Sequence, residues 1–167
     1  MAKFLTTRGI SYELENIVLN AEDEIIIIAP FLDIAENFLE RMISADEKGI
    51  RIVVVFGKSS LKRKQQKAFD RISNLELRYY NDLHAKCYHN HRDVIVSSMN
   101  LYEFSEIHNR EIGILLQNGV DDDAIHAATE EAEDIRRHAT LLFDWDTPVE
   151  LRDYNRSFGR PLPAIYA

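Results

Sequence analysis

Apolar positions along this chain follow two periods. Residues 24–30, E-I-I-I-I-A-P, are an unbroken apolar run closed by a charge at one end and a proline at the other. That is the pattern of a strand buried on both faces. Residues 51–56, R-I-V-V-V-F, repeat it and stop at Gly57. Between the two runs Ile34, Phe38, Leu39, Met42 and Ile43 recur at helical spacing, and Gly49 marks the stop. A strand, a helix and a strand in that order predict a parallel pair joined by a right-handed crossover.

Downstream the pattern shortens. Residues 59–72 read as a polar helix with few apolar positions, and residues 75–79 as a third strand. Residues 83–89 and 93–97 read as the two arms of a hairpin turning through Asn90, His91 and Arg92. Residues 110–116 form another strand. Residues 122–143 read as one long helix, and the acids Asp121, Asp122 and Asp123 stand where they favour its dipole. The segment 144–167 holds three of the four prolines and little periodicity, and is expected to trail with weak order. There is no internal repeat.

Composition narrows the class. At 167 residues and 46% hydrophobic, the chain suffices for one domain with a real core, drawn here as residues 1–145 with a C-terminal tail at 146–167. No apolar run approaches the ~20 residues that span a bilayer, so no membrane is expected. The N-terminal M-A-K-F-L-T-T-R-G lacks the apolar core of a signal peptide, and Cys87 is the sole cysteine. Together these predict a cytoplasmic protein.

The net charge of −8 speaks against a general nucleic-acid-binding surface. The charges are unevenly spread, however. Lys58, Lys62, Arg63, Lys64 and Lys67 fall together, while Glu130, Glu131, Glu133 and Asp134 join the three aspartates near the other end. The basic run is either a solvated helix face or a hold on nucleic-acid backbone, with Lys58, Lys62, Arg63 and Lys64 as the contacts.

Candidate chemistry gathers between His84 and Glu111. If residues 83–89 are a strand, His84 and Lys86 share a face, and the hairpin returns Ser98 and Asn100 to the same end. Glu111 opens the next strand near that end. Histidine is neutral near its usual pKa of about 6.5, so a ring nitrogen is free to attack phosphorus. Lysine neutralises phosphate oxygens, and Ser98 and Asn100 can donate hydrogen bonds to them. Glu111 can accept the proton of the other His84 ring nitrogen and fix the tautomer.

Two other readings fail on placement. His89 and His91, with His84, invite a metal site, but they sit on opposite faces or in a turn and no cysteine or carboxylate cluster completes a set. Gly57-Lys58-Ser59 is like the end of a phosphate-binding loop, whose first glycine would fall at Ile52, inside a strand.

These residues resemble the H-K-D motif of the phospholipase D superfamily, H-x-K followed by an aspartate and then G-S-x-N. His84 and Lys86 match H-x-K, Ser98 and Asn100 match S-x-N, and Glu111 falls where the small nucleases of that superfamily carry a glutamate partner for the histidine. The resemblance covers residues 1 to 145. Two positions depart from it. The aspartate falls at position 91, which is His91, while Asp93 lies two residues on and takes a supporting role. The glycine before the serine is Ser97.

The resemblance implies a fold, an α/β phospholipase D-like mixed sheet flanked by helices on both faces. It also implies a metal-independent phosphodiesterase without a cofactor. Members with a single motif need a second copy, so it implies a homodimer whose site lies on the two-fold axis. One His84 then becomes phosphohistidine while its counterpart protonates the leaving oxygen. Members of this kind are mostly nucleases, which makes nucleic acid the expected substrate and leaves room for a helicase or recognition subunit. The contrasting expectation is a catalytically inactive module that binds nucleic acid or a protein partner, in keeping with the displaced aspartate and the acidic charge.

Overall fold

In the computed structural model, residues 1–57, 61–102 and 109–154 are described. The chain opens with β1 (Lys3–Thr6), which runs directly into α1 (Thr7–Leu19). The hydrophobic pattern above assigns no element here, yet Ile10, Leu14, Ile17 and Val18 lie on one face of α1 and are all buried. The expected crossover follows as β2 (Glu24–Ile28), a short β3 (Leu32–Asp33), α2 (Glu36–Asp46) and β4 (Arg51–Phe56). β2 and β4 pair in parallel from Glu24↔Arg51 to Ile28↔Val55.

The polar helix expected over 59–72 is shorter. α3 spans Arg63–Phe69, and residues 58–60 lie outside the described residues. β5 (Leu75–Tyr79) extends the parallel set beside β4. β6 (Cys87–His89) and β7 (Asp93–Ser97) form the expected hairpin, with Cys87↔Val96 and His89↔Val94 as its outer rungs. After β8 (Leu101–Tyr102) come β9 (Ile112–Gln117), α4 (Asp122–His138) and β10 (Thr140–Phe143).

The helix predicted over 122–143 ends at His138, and Ala139 turns extended at φ −74°, ψ 141°. Residues 140–143 pair antiparallel with β5 instead. An apolar T-L-L-F run suits either element, and the open edge of β5 decides it.

The eight strands are ordered β1-β9-β7-β6-β2-β4-β5-β10, and β3 pairs with β8 in a separate parallel pair. The sheet is mixed, as predicted: β2, β4 and β5 are parallel, and the other neighbours antiparallel. Helices flank both faces. Ile25, Ile27, Val54 and Leu77 meet the apolar faces of α1, α2 and α3 on one side. Ile26, Ile28, Val53 and Val55 meet Ala132 and Ile135 of α4 on the other. No helix among the described residues is long and apolar enough to cross a membrane.

The tail is ordered further than its composition suggests. A 3-10 turn (Val149–Leu151) leads to Arg152, whose guanidinium donates to the carbonyls of Phe69, Ile72 and Ser73. The Tyr154 hydroxyl donates to Asp70 at 2.6 Å. Packing therefore continues past residue 145 to at least Tyr154.

Candidate active site

His84 and Lys86 precede β6 rather than standing on it, because the strand begins only at Cys87. Strand alternation therefore does not bring them together as expected. Their approach has another cause. Gly57 closes β4, and a Cβ built there would stand 2.4 Å from Leu83 Cβ and 2.7 Å from the Tyr80 carbonyl oxygen. The missing side chain lets the 80–83 segment cross tightly over the end of β4. Leu83 is buried in that crossing and His84 emerges exposed from it. The Lys86 ammonium donates to the His84 carbonyl at 2.8 Å and stands 3.5 Å from His84 Nδ1.

The second half of the site hangs from β7. Ser97 Oγ accepts the Met99 N–H at 3.1 Å, and the buried Tyr88 hydroxyl donates to the Met99 carbonyl at 2.6 Å. A serine at position 97 thus supplies its own turn contact. This arch presents Ser98 and then Asn100, which leads into β8. Ser98 Oγ donates to the Glu111 carboxylate and accepts the Ile112 N–H at 3.1 Å. Asn100 is half-buried, and its Oδ1 is sealed from solvent with no hydrogen-bond partner among the described residues.

His84, Lys86 and Ser98 line one groove of about 480 Å³ between the sheet and α4. Its remaining walls are mainly apolar, among them Ile28, Val96, Ala132 and Ile135, with Glu131 at one edge. Cys87 also borders the groove. Burial pushes its thiol up to about 12, so it is no nucleophile near neutrality.

The remaining expected residues make other contacts. Glu111 bonds Ser98 and makes no hydrogen bond to His84. Asp93 opens β7 at the far end of the hairpin, opposite Gln117. Its turn is organised by Asn90, whose Oδ1 accepts the N–H groups of Arg92 at 3.1 Å and Asp93 at 3.0 Å, and whose Nδ2 donates to the Ile17 carbonyl. His91 takes the left-handed position of that turn, at φ 66°. Its Nε2 lies 3.2 Å from the Glu24 carboxylate, and this hydrogen bond raises its pKa against the opposing pull of burial.

Of the basic run, Lys58 lies outside the described residues. Lys62 pairs with Asp33 at 3.1 Å, and Arg63 is exposed. Lys64 lines a separate cleft with Leu39 and Phe69 between α2 and α3, on the other face of the sheet from α4.

Thr7 escaped the sequence reading altogether, while Gly57 and Asn90 were read only as a strand stop and a hairpin turn. The Thr7 hydroxyl accepts the Glu111 N–H at 2.8 Å across 104 residues of chain. A contact so distant in sequence leaves no local pattern to read.

The fold is thus an α/β mixed sheet with a histidine, a lysine and a hydroxyl lining one groove beside α4. The model of the family described as "Cardiolipin synthase, PLD-like domain" matches residues 14–136, and the chain belongs to that phospholipase D-like family. No curated protein matches it in sequence. Solved structures share its fold. Nuc of Salmonella typhimurium, a phospholipase D family member, superposes with a TM-score of 0.69 at 16% identity, over 84% of this chain and 98% of that one. NucT from Helicobacter pylori gives 0.70 at 15% identity, over 84% and 99%. Phosphatidylserine synthase of Haemophilus influenzae Rd KW20 gives 0.70 at 17% identity, over 93% of this chain but only 42% of that one.

Proposed function

We propose that this chain is a metal-independent phosphodiesterase, a nuclease working through a phosphohistidine at a site shared by two copies. The observation that carries the reading is the meeting of His84, Lys86 and Ser98 at one groove, with Glu111 hydrogen-bonded to Ser98. The single-motif superfamily members that the sequence resembles, mostly nucleases, point the same way.

The geometry suggests how the groups work. Lys86 and Ser98 are the donors, and they face two acceptors, His84 Nδ1 and the Glu111 carboxylate. A phosphodiester competes for both donors. As Lys86 and Ser98 turn to its oxygens, His84 and Glu111 are left to each other; the ring proton, on Nε2 while Nδ1 accepts from Lys86, passes by exchange with water to Nδ1 and is shared there toward the carboxylate. Nε2 then carries the lone pair that attacks phosphorus. The P–O bond to the leaving group breaks, and the second copy's His84, protonated, gives its proton to that oxygen. The same histidine next takes a proton from water, which cleaves the phosphohistidine and restores both rings.

A second copy has a surface to meet. Phe4, Ile114 and Val96 stand at paired positions on β1, β9 and β7, and are 62%, 38% and 46% exposed. The row continues through Cys87 and Ile28, which belong to the face that α4 covers. α4 thus leaves part of an apolar sheet face open beside the groove, the kind of patch that marks an interface.

The displaced aspartate does not weigh heavily against activity, since Asp93 is remote from the groove and Asn90 organises the turn. The Glu131 carboxylate in the groove lining repels a phosphate backbone, and so favours the contrasting reading in its form of a module that binds a protein partner. Cleavage of single- and double-stranded DNA and RNA in EDTA, with His84→Ala as control, decides between them. Cutting that persists in EDTA and vanishes in the variant is the expected result. Strict dependence on added metal sinks the mechanism. Salt-sensitive binding without cutting selects the inactive module.

A further inference from the structure

We propose that Thr7, in the first turn of α1, is a positioning residue for the phosphodiesterase reaction and acts through Glu111; the inference rests on the function proposed above. β1 and β9 pair up to Thr6↔Ile112, and at the next residue the chain leaves the sheet to become α1. The Glu111 N–H is therefore the first donor beyond the ladder, with no strand left to receive it. The Thr7 hydroxyl receives it at 2.8 Å and gives its own proton to the Asn109 carbonyl at 3.3 Å. One hydroxyl thereby holds both ends of the Asn109–Glu111 stretch.

On the opposite side Ser98 does the complementary work. Its N–H donates to the Ile112 carbonyl at 2.9 Å, and its Oγ accepts the Ile112 N–H at 3.1 Å. Glu111 is thus clamped between Thr7 at its own amide and Ser98 at the next. With the backbone so held, the carboxylate meets the Ser98 hydroxyl. The same clamp sets the distance Glu111 must cover to reach His84 when phosphate takes Ser98.

Thr7 is a fixed point because the start of α1 is seated hard against the sheet. A Cβ on Gly113 would stand 3.0 Å from Ser97 Cβ and 3.1 Å from Ile10 Cγ1. The absent side chain lets the first turn of α1 lie directly on β9 at the level of Ser97. Ile10 is fully buried there. Thr7 itself is half-buried and β-branched, which restricts the rotamers that can aim its hydroxyl.

A hydrogen bond that merely finishes a ladder would affect stability and nothing else, so the test must read catalysis separately. The experiment compares wild type, Thr7→Val and Thr7→Ser, with bis(p-nitrophenyl) phosphate as the probe, and measures kcat, KM and the thermal midpoint. Thr7→Val keeps the shape and removes the hydroxyl; its kcat should fall on the order of ten- to a hundredfold with KM nearly unchanged. Thr7→Ser should restore most of kcat. A Thr7→Val enzyme with wild-type kcat overturns the proposal, as does a loss that Thr7→Ser fails to rescue. If wild type cleaves no phosphodiester, the proposed function fails on its own account. Amide exchange at Glu111 then judges the clamp: slow exchange lost in Thr7→Val and kept in Thr7→Ser upholds the positioning contact, and equal exchange in all three proteins refutes it.

Discussion

Arg136 and Glu76 form a two-pronged pair: the Nε and Nη2 atoms of Arg136 each stand 2.8 Å from a carboxylate oxygen of Glu76. Glu76 is buried on β5 and Arg136 lies on α4, so the pair pins the helix that walls the groove. Arg136 also reaches Glu24 on β2 at 3.4 Å, and Arg78 reaches Glu76 at 2.5 Å. Burial alone would push both carboxylates up, but their hydrogen bonds and neighbouring cations together hold them below the ordinary range.

Removing the arginine leaves two buried carboxylates short of a cation. Arg136→Met should therefore cost on the order of 3 kcal/mol in urea unfolding. Arg136→Lys should recover only part of it, because an ammonium cannot make the two-pronged contact. An unchanged urea midpoint in Arg136→Met would show that α4 is anchored by its apolar face alone.

His89 sets an acid limit on stability. Its ring is fully buried, neither nitrogen has a partner among the described residues, and burial, aided by the nearby His91, lowers its pKa to about 4. The unfolded chain takes up this proton near the ordinary value of about 6.5, whereas the folded chain resists it. Stability from this residue is therefore complete above about pH 6.5 and is lost as pH falls toward 4. His91 works in the opposite sense, since its raised value favours the folded state below about pH 6.5 and fades as pH rises. His89→Leu should flatten the acid limb, by up to about 3 kcal/mol at pH 4. Urea midpoints between pH 4 and 7 measure it; parallel curves for the two proteins would exclude His89 as the cause.

The open sheet face predicts how copies meet. Ile114→Asp places a charge in the middle of the Phe4–Ile114–Val96 row while leaving the core untouched. Wild type should sediment as a dimer at micromolar concentration, and the variant as a folded monomer without cleavage activity. A variant that remains dimeric moves the contact elsewhere.

Much of the frame was legible in the sequence because its signals are local. The isoleucine and valine runs of β2 and β4, the hairpin through Asn90 and the helical spacing of α2 each lie within a dozen residues or so. The same is true of H-x-K and S-x-N. What could not be read depends on distant partners. The T-L-L-F of β10 becomes a strand only because β5 offers an edge. Thr7 meets Glu111 only once β1 and β9 are paired. His84 and Lys86 were expected to align by strand alternation, yet a crossing over Gly57 brings them together. α1 is the exception, since its buried spacing of Ile10, Leu14, Ile17 and Val18 stands in the sequence.

That crossing has an evolutionary side. A methyl group at position 57 would meet both Leu83 Cβ and the carbonyl oxygen of Tyr80. Trimming Leu83 cannot make room, because the first collision is with the atom every residue but glycine carries and the second is with the main chain. No single exchange elsewhere compensates for losing Gly57, so the position can drift only if the whole path into His84 is redrawn. Side chains elsewhere can trade volume with their neighbours, but at the end of β4 the chain is held to a hydrogen atom.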